Sequence, residues 1–577
     1  MKILAALALA AVCGSAFPPP LAAQPSPAVG VLAKAFLAES TQRDPLFASS
    51  LGIHTYDDRF ADYSAAGHAA RIAWLREWRE RIASAGARAV SLDDRADARE
   101  LLHTIDLELF EDGTLRPWRT DPGIYVNSIG SALYILASRT FAPQPVRFAN
   151  VAKRLALLPG VAAAAEANLT ASTRVAALQA IDANAGNIEL VRSLPSTPAI
   201  DRNRPIALAA LRKLQAFLRG PFLARSQASP RVGTAIYDRE LQLAEGTDLT
   251  RAQLVARARA DFDATRARML VLALPLDRKF FPAKIVDESK PDAVDVVVRR
   301  VLDRLANDHP GRDGIFALAK ADVAAANAFL TADPVVVLPT PPTLHVVPTP
   351  AFLAGFAGAS FDPSGPFTPL AESFYYIDQI PKSWTARQIT SYLRDHNTYE
   401  MRILSIHEAV PGHYVQFRYN NATPSLVRRV YGNGSYIEGW AVYCEGMMLD
   451  AGYGANDSRL RLFQLKWRLR EQANTLIDAG YHTTGMTKAQ LDDLLVRQAY
   501  QERSQVETKW HRLELSHNQL SSYYVGLSAI MRARDDLKAT LGPRFSVAAF
   551  NLALLQIGSV EPRDIEPLVA AKLGIAL

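Results

Sequence analysis

Apolar residues recur at three- and four-residue spacing along most of this chain, set among alanine and arginine, and this pattern predicts a mainly α-helical protein. Residues 29–111 read as helices of this kind, most clearly at 69–85. Residues 250–274 carry an apolar and a charged face at helical spacing, which predicts one uninterrupted helix. Between these, 117–130 reads as a loop and 151–169 as a helix pair broken at Pro159-Gly160. The three prolines of 195–205 predict a turn between helical layers. The pattern changes at 333–350, DPVVVLPTPPTLHVVPTP, where β-branched runs punctuated by prolines predict extended edge strands. An irregular stretch follows at 354–367, and helical periodicity resumes near Thr385. No repeat or linker divides residues 24–577, so a single unit with a small β element is expected.

The first residues follow a different logic. Lys2, a short apolar run over 3–12 and the small pair Ala22-Ala23 before Gln24 predict a signal peptide over 1–23. The run is too short to span a bilayer, and no later segment reads as a span. Cys13 raises lipid anchoring, but Val12 stands where a lipoprotein signal normally has Gly, Ala or Ser. Soluble export, periplasmic or secreted, is therefore the favoured expectation. Cleavage would leave Cys444 as the lone cysteine, which excludes an internal disulfide framework and suits a packed thiol better than a nucleophile. With 49% hydrophobic and 21% charged residues a large core is available. The net charge of +6 is small for 577 residues, and no basic run is interleaved with aromatics, so nucleic-acid binding is not expected.

The most informative chemistry lies in IHEAVPGHYVQ, residues 406–416. His407 and His413 flank Glu408, and a second acidic cluster, IEGWAVYCE, follows at 437–445. Two imidazoles and one carboxylate suffice to hold a catalytic zinc ion, with a fourth position open to water and a free carboxylate to take that water's proton. The ordinary His-Glu-x-x-His spacing puts both imidazoles on one helical face. Here they are six apart (413 − 407), about 600° of ideal helix, which leaves His413 some 120° off that face. Pro411 and Gly412 supply a way out. Proline withholds a helical hydrogen bond and glycine permits unusual dihedrals, so a kink or widened turn can swing His413 back. The competing reading is a helix that ends at Val410, with His413 capping nearby groups. Glu438 lies 25 residues beyond His413 (438 − 413), far enough to sit on a facing helix as third ligand. Glu445, two turns further on, shares its face and is placed to orient an imidazole N–H. The alternative is a pair of surface carboxylates on an amphipathic helix.

Hydrolysis by such a site also needs a donor for the oxygen that gains charge. Tyr523 and Tyr524 are both candidates, although neighbours on a helix point about 100° apart and only one can reach. His482 is a second candidate donor, and packing roles remain open for all three. Arg512 or Arg394 would clamp a substrate carboxylate bidentately.

In these residues the chain resembles the bacterial family known as domain of unknown function 885. The shared segments run in order: Arg-Leu-x-x-x-Pro at 154–159, LRDHN at 393–397, HEAVPGHYVQ at 407–416 and EGWAVYCE at 438–445. DAGYH at 478–482, QLSSYYVG at 519–526 and ALLQIGSVEP at 553–562 complete the set. The resemblance implies a large helical metallopeptidase-like fold around a deep central cleft, with a catalytic core of about residues 385–530. It also implies zinc on His407, His413 and Glu438, Glu408 as base, and Tyr523 or Tyr524 polarising the carbonyl. Two positions depart from the family pattern: His517-Asn518 stands where Pro-Gly is usual, and Asn551 where a histidine is usual, which raises the question of an altered substrate pocket. The expected function is an exported zinc peptidase for short peptides. Its rivals are a catalytically silent protein that binds peptides or a partner, and a zinc amidase for non-peptide amides. Glu408 argues against the silent form, because a structural zinc site needs no free base.

Overall fold

The computed structural model describes residues 27–284, 286–287, 290, 292–350 and 358–575. The signal peptide over 1–23, with Cys13, lies outside the described residues, as does the 354–357 part of the irregular stretch. Helices dominate, and one three-stranded sheet is the β element among the described residues. The architecture is mainly α.

Three apolar cores organise the helices. The first joins N-terminal residues such as Phe36, Leu75, Trp78 and Leu101 to Val427 and Tyr431 from far along the chain. A second lies among the helices Gly123–Ser138, Gln144–Asn168, Arg174–Ser193 and Pro198–Phe217. The third and largest takes in Ala96 and residues from Leu241 to Ala570 and surrounds the histidine motif. Arg154, of the family's Arg-Leu-x-x-x-Pro segment, pins the first two cores together. Fully buried, it donates to the carbonyls of Ala132 (2.5 Å) and Arg59 (3.2 Å) and to Ser49 Oγ (3.1 Å).

Several proline-marked breaks are in fact helical. Residues 144–168 form one helix through Pro159, and Pro198–Phe217 is a helix through Pro205. A proline inside a helix costs about 3 kcal/mol. Leu155, Leu158, Val161, Ala162 and Ala165 are buried on one face of the first helix. Each leucine buried contributes about 1.5–3 kcal/mol, which offsets the lost bond. Pro198 stands at the first helical position, where the missing N–H costs nothing. The expected loop at 117–130 is likewise a short helix, Pro117–Thr120, followed by Gly123–Ser138. The helix expected at 250–274 is present and longer, Arg251–Phe280, opened by a capping box between Thr250 and Gln253. Thr385 and Gln388 form another such box where helical pattern was expected to resume.

The sheet is β1 (Leu344–Pro348), β2 (Ala359–Asp362) and β3 (Ser373–Ile377), in the order β1-β3-β2. Of the edge strands predicted over 333–350 one is present, β1, while 335–338 form no strand; β1 runs parallel to β3 and β2 antiparallel to it. The apolar helix Ile315–Ala332 is long enough to cross a membrane by length and composition. It lies against the helix Thr398–Glu408, and its buried Asp322 pairs with Arg402 at 3.2 Å.

Candidate metal centre

The histidine motif breaks at the expected place: the Val410 N–H reaches back five residues to the Ser405 carbonyl at 3.1 Å, a widened turn, and the helix does not reach Val410. One helix, Thr398–Glu408, stops at Glu408, and a second, His413–Asn420, begins at His413 itself. Between them the backbone of Gly412 passes so close to the first helix that a Cβ there would lie 1.9 Å from the carbonyl oxygen of His407. Only glycine fits. The Gly412 N–H donates to the Ile406 carbonyl at 2.9 Å, and the Trp440 indole donates to the Pro411 carbonyl at 3.0 Å. This break turns the two imidazoles face to edge, with ring centroids 4.9 Å apart and planes at 89°. Phe361 of β2 stacks beside His413 at 6.4 Å, so the small sheet forms one wall of the centre.

The second acidic cluster lies on the helix Gly434–Asp450. Glu438 Oε2 is 3.6 Å from His407 Nε2 and 3.5 Å from His413 Nε2. These separations exceed a hydrogen bond. They match the roughly 3.4 Å between neighbouring ligand atoms on a tetrahedral ion with bonds of about 2.1 Å. Glu438 Oε2, which faces both imidazoles, is buried without a hydrogen-bond partner. Such an orphan is costly unless something else satisfies it. The ligand atoms of His407, His413 and Glu438 all lie within 4.8 Å of one another, so the residues present fit a zinc ion. Burial pushes the Glu438 carboxyl up, but the two imidazoles outweigh it and hold that group well below the usual carboxylate range.

Glu445, seven residues on, reaches the other side of the same imidazole. Its Oε1 lies 2.9 Å from His407 Nδ1, and the side chain is fully buried. A proton held on Nδ1 by that carboxylate leaves Nε2 as the free donor atom. Glu445→Gln, which weakens this grip without changing shape, is expected to lower zinc affinity about 10- to 100-fold while leaving the fold intact. Competition against a fluorescent chelator measures the affinity; an unchanged value removes Glu445 from the centre.

The tyrosine pair is resolved by packing. The helix Ser522–Leu541 lies against Gly434–Asp450, and a Cβ at Gly526 would sit 1.7 Å from the Ser435 carbonyl oxygen. This close approach brings the Tyr523 ring within 6.5 Å of the His407 ring, centroid to centroid. Tyr524 points elsewhere and donates to Asp261 at 2.6 Å. A cavity opens beside His407 and Tyr523; Arg512 lines it too and donates to the Tyr523 hydroxyl at 3.3 Å. Half-buried Glu408 also lines that cavity.

Other expected residues lie apart from it. His482 is buried between the Ser516 carbonyl (3.2 Å) and the His517 ring (5.7 Å). Burial, then the His517 charge, pushes its pKa down to about 3. Arg394 is held by Asp303 (2.9 Å) and Asn307 (2.7 Å). Neither lines the cavity. The two departures from the family pattern avoid it as well. His517 pairs with Glu240, while Asn551 is fully buried, accepting from Tyr443 (2.8 Å) and donating to the Val335 carbonyl (2.9 Å). Cys444 is a buried free thiol against the Pro411 carbonyl at 3.7 Å. Missing from the residue-by-residue expectation were Trp467, Arg470 and Asn474 on the helix Ser458–Ala479, and Lys509 on Arg503–Leu515, all of which line the cavity. Their spacing of three or four residues was the available signal.

Fold and centre together define a mainly helical protein with a buried two-histidine, one-glutamate cluster opening on a cavity. The chain belongs to the bacterial family of unknown function DUF885, whose model matches residues 45–569. It is similar to a solved structure from Shewanella oneidensis, described as a candidate lipoprotein of unknown function. The two share 27% identity and a TM-score of 0.78, over 94% of this chain and 100% of that one. A candidate lipoprotein from Colwellia psychrerythraea, 17% identical, shares the fold with a TM-score of 0.75 over 95% and 99% of the two chains. No curated protein matches the chain.

Proposed function

We propose that this protein is an exported zinc-dependent peptidase acting on short peptides. The observation that carries the reading is the spacing of three ligand atoms at metal-ligand distances, with an unengaged carboxylate, Glu408, beside them on the cavity wall. His407, His413 and Glu438 would hold the ion. When bound, zinc supplies Lewis acidity that polarises a carbonyl and acidifies a water. Glu408 takes the proton from the attacking water and passes it to the departing amine. Tyr523 donates its hydroxyl hydrogen bond to the carbonyl oxygen as charge gathers there, and Arg512 holds that phenol in place. The cavity beside the centre, about 130 Å³, is far too small for a folded chain. The amidase reading keeps the same machinery, and a peptide library separates it from the peptidase. Export rests on the signal-like first residues, and the lipoprotein description of both relatives keeps Cys13 in view as an anchor.

The test is zinc content by mass spectrometry alongside cleavage of a peptide library. Near one zinc per chain and peptide cleavage are expected for the wild type, and His413→Ala is expected to lose both. A wild type that takes up no metal after reconstitution sinks the reading.

A further inference from the structure

Building on the peptidase reading, we propose that Lys509, Arg512 and Arg470 receive the C-terminal carboxylate of a short peptide, so that free C-termini are the ends this protein acts on. The three cations come from two helices, Ser458–Ala479 and Arg503–Leu515, and line the same cavity as His407 and Glu408. Arg512 joins this group to the centre through its 3.3 Å bond to the Tyr523 hydroxyl. The cationic wall therefore begins one side chain away from the reacting carbonyl.

What sets these cations apart is that, Glu408 aside, the acids of the same cavity are engaged elsewhere or have their carboxyl raised by burial. Glu400 is taken by Lys466 (2.6 Å) and the Trp467 indole and Asp395 by Gln505, while burial pushes the Glu471 carboxyl well above its usual range. Among the described residues Lys509 and Arg470 make no hydrogen bond or ion pair. Arg470 instead lies over the Trp467 ring at 3.8 Å, a stacking that fixes the guanidinium plane and leaves its N–H edge for a ligand. Burial, and then the Arg512 and Arg470 charges, push the Lys509 ammonium well below its ordinary pKa. Glu471 and Asp478 offset only part of the repulsion among these cations, and an arriving carboxylate removes more of it. A site for a substrate N-terminus needs unengaged carboxylates for an ammonium group, and Glu408 on this wall is already committed to the attacking water. Hydrolysis then breaks the peptide C–N bond near that end: the carbonyl carbon takes hydroxyl from water, and the amine, carrying the peptide's own carboxylate, takes the proton.

Binding is measured on zinc-loaded Glu408→Gln protein, which removes turnover from the readout. The probes are N-acetyl tetrapeptides free of acidic side chains, as free acids and as C-terminal amides, with a third set of amides ending in aspartate. Free acids are expected to bind about 30- to 100-fold tighter than amides, the worth of a charged hydrogen-bonded pair, and Lys509→Gln to shrink that gap at least tenfold. Equal binding of acids and amides, or binding of neither, overturns the proposal. Aspartyl amides that bind as tightly as free acids overturn it too, by assigning the cations to side chains. Wild-type cleavage of acids and amides alike leaves the peptidase standing and removes this inference. Selective binding with no wild-type cleavage supports the carboxylate recess and removes the peptidase.

Discussion

Glu408→Gln is expected to keep its zinc and lose about a thousandfold in kcat/KM on the best peptide substrate. Glutamine preserves the shape and hydrogen-bonding reach of the side chain but cannot take a proton from water. A positioned general base contributes about 10²- to 10⁴-fold, and three decades correspond to about 4 kcal/mol of activation free energy. Zinc is expected to stay because Glu408 is not among the three residues whose donor atoms cluster; His407, His413 and Glu438 are unchanged by the substitution. The side chain is half-buried on the cavity wall, so replacing it leaves the apolar core untouched. Zinc per chain, circular dichroism and initial rates on the same preparation separate the outcomes. A variant with full zinc and more than a tenth of wild-type activity removes Glu408 as the base. Loss of metal together with activity would instead make Glu408 part of the ligand set.

Most of what was legible in the sequence was local. Thr250 and Thr385 announce helix starts through their own side chains, and the chain obeys both. The motif spacing also forecast that a plain helix could not hold His407 and His413 together, and Pro411-Gly412 marked where it had to yield. The full form of that yielding was not legible. Helix, break and new helix depend on the Trp440 indole capturing the Pro411 carbonyl from another helix, a contact that residues 406–416 do not encode. The same limit applies to Tyr523 and Tyr524. Their sequence context is nearly identical, and only Asp261, more than 250 positions away, draws Tyr524 off the cavity. Pro159 and Pro205 misled for a related reason: burial against a neighbouring helix outweighs one missing hydrogen bond, and the neighbour is invisible in a local window. The cationic wall escaped notice because Lys509 and Arg470 look like ordinary solvated helix residues until their missing partners are known.

Gly412→Ala is expected to cost more than about 2 kcal/mol of stability and to weaken zinc binding at least 100-fold. The added Cβ would stand 1.9 Å from the His407 carbonyl oxygen and 2.4 Å from that of Ile406, and both are backbone atoms that cannot rotate aside. Relief requires the chain to lift off the end of the first helix, which breaks the 2.9 Å bond from the Gly412 N–H to Ile406 and loosens the indole grip on Pro411. His413 is the next residue, so its imidazole moves with the backbone. Ligand positions tolerate little displacement before affinity falls. Gly446→Ala is the matched control. It lies on the helix that carries Glu438 and Glu445, where an added Cβ would meet nothing closer than 3.5 Å. There, alanine is expected to raise stability by up to about 1 kcal/mol through helix propensity and to leave zinc affinity unchanged. Thermal unfolding with and without chelator reads both variants. If Gly412→Ala retains wild-type zinc affinity, the tight passage beneath Ile406 and His407 is not what places the second histidine. The centre would then owe its geometry to the packing of Phe361 and Trp440 alone.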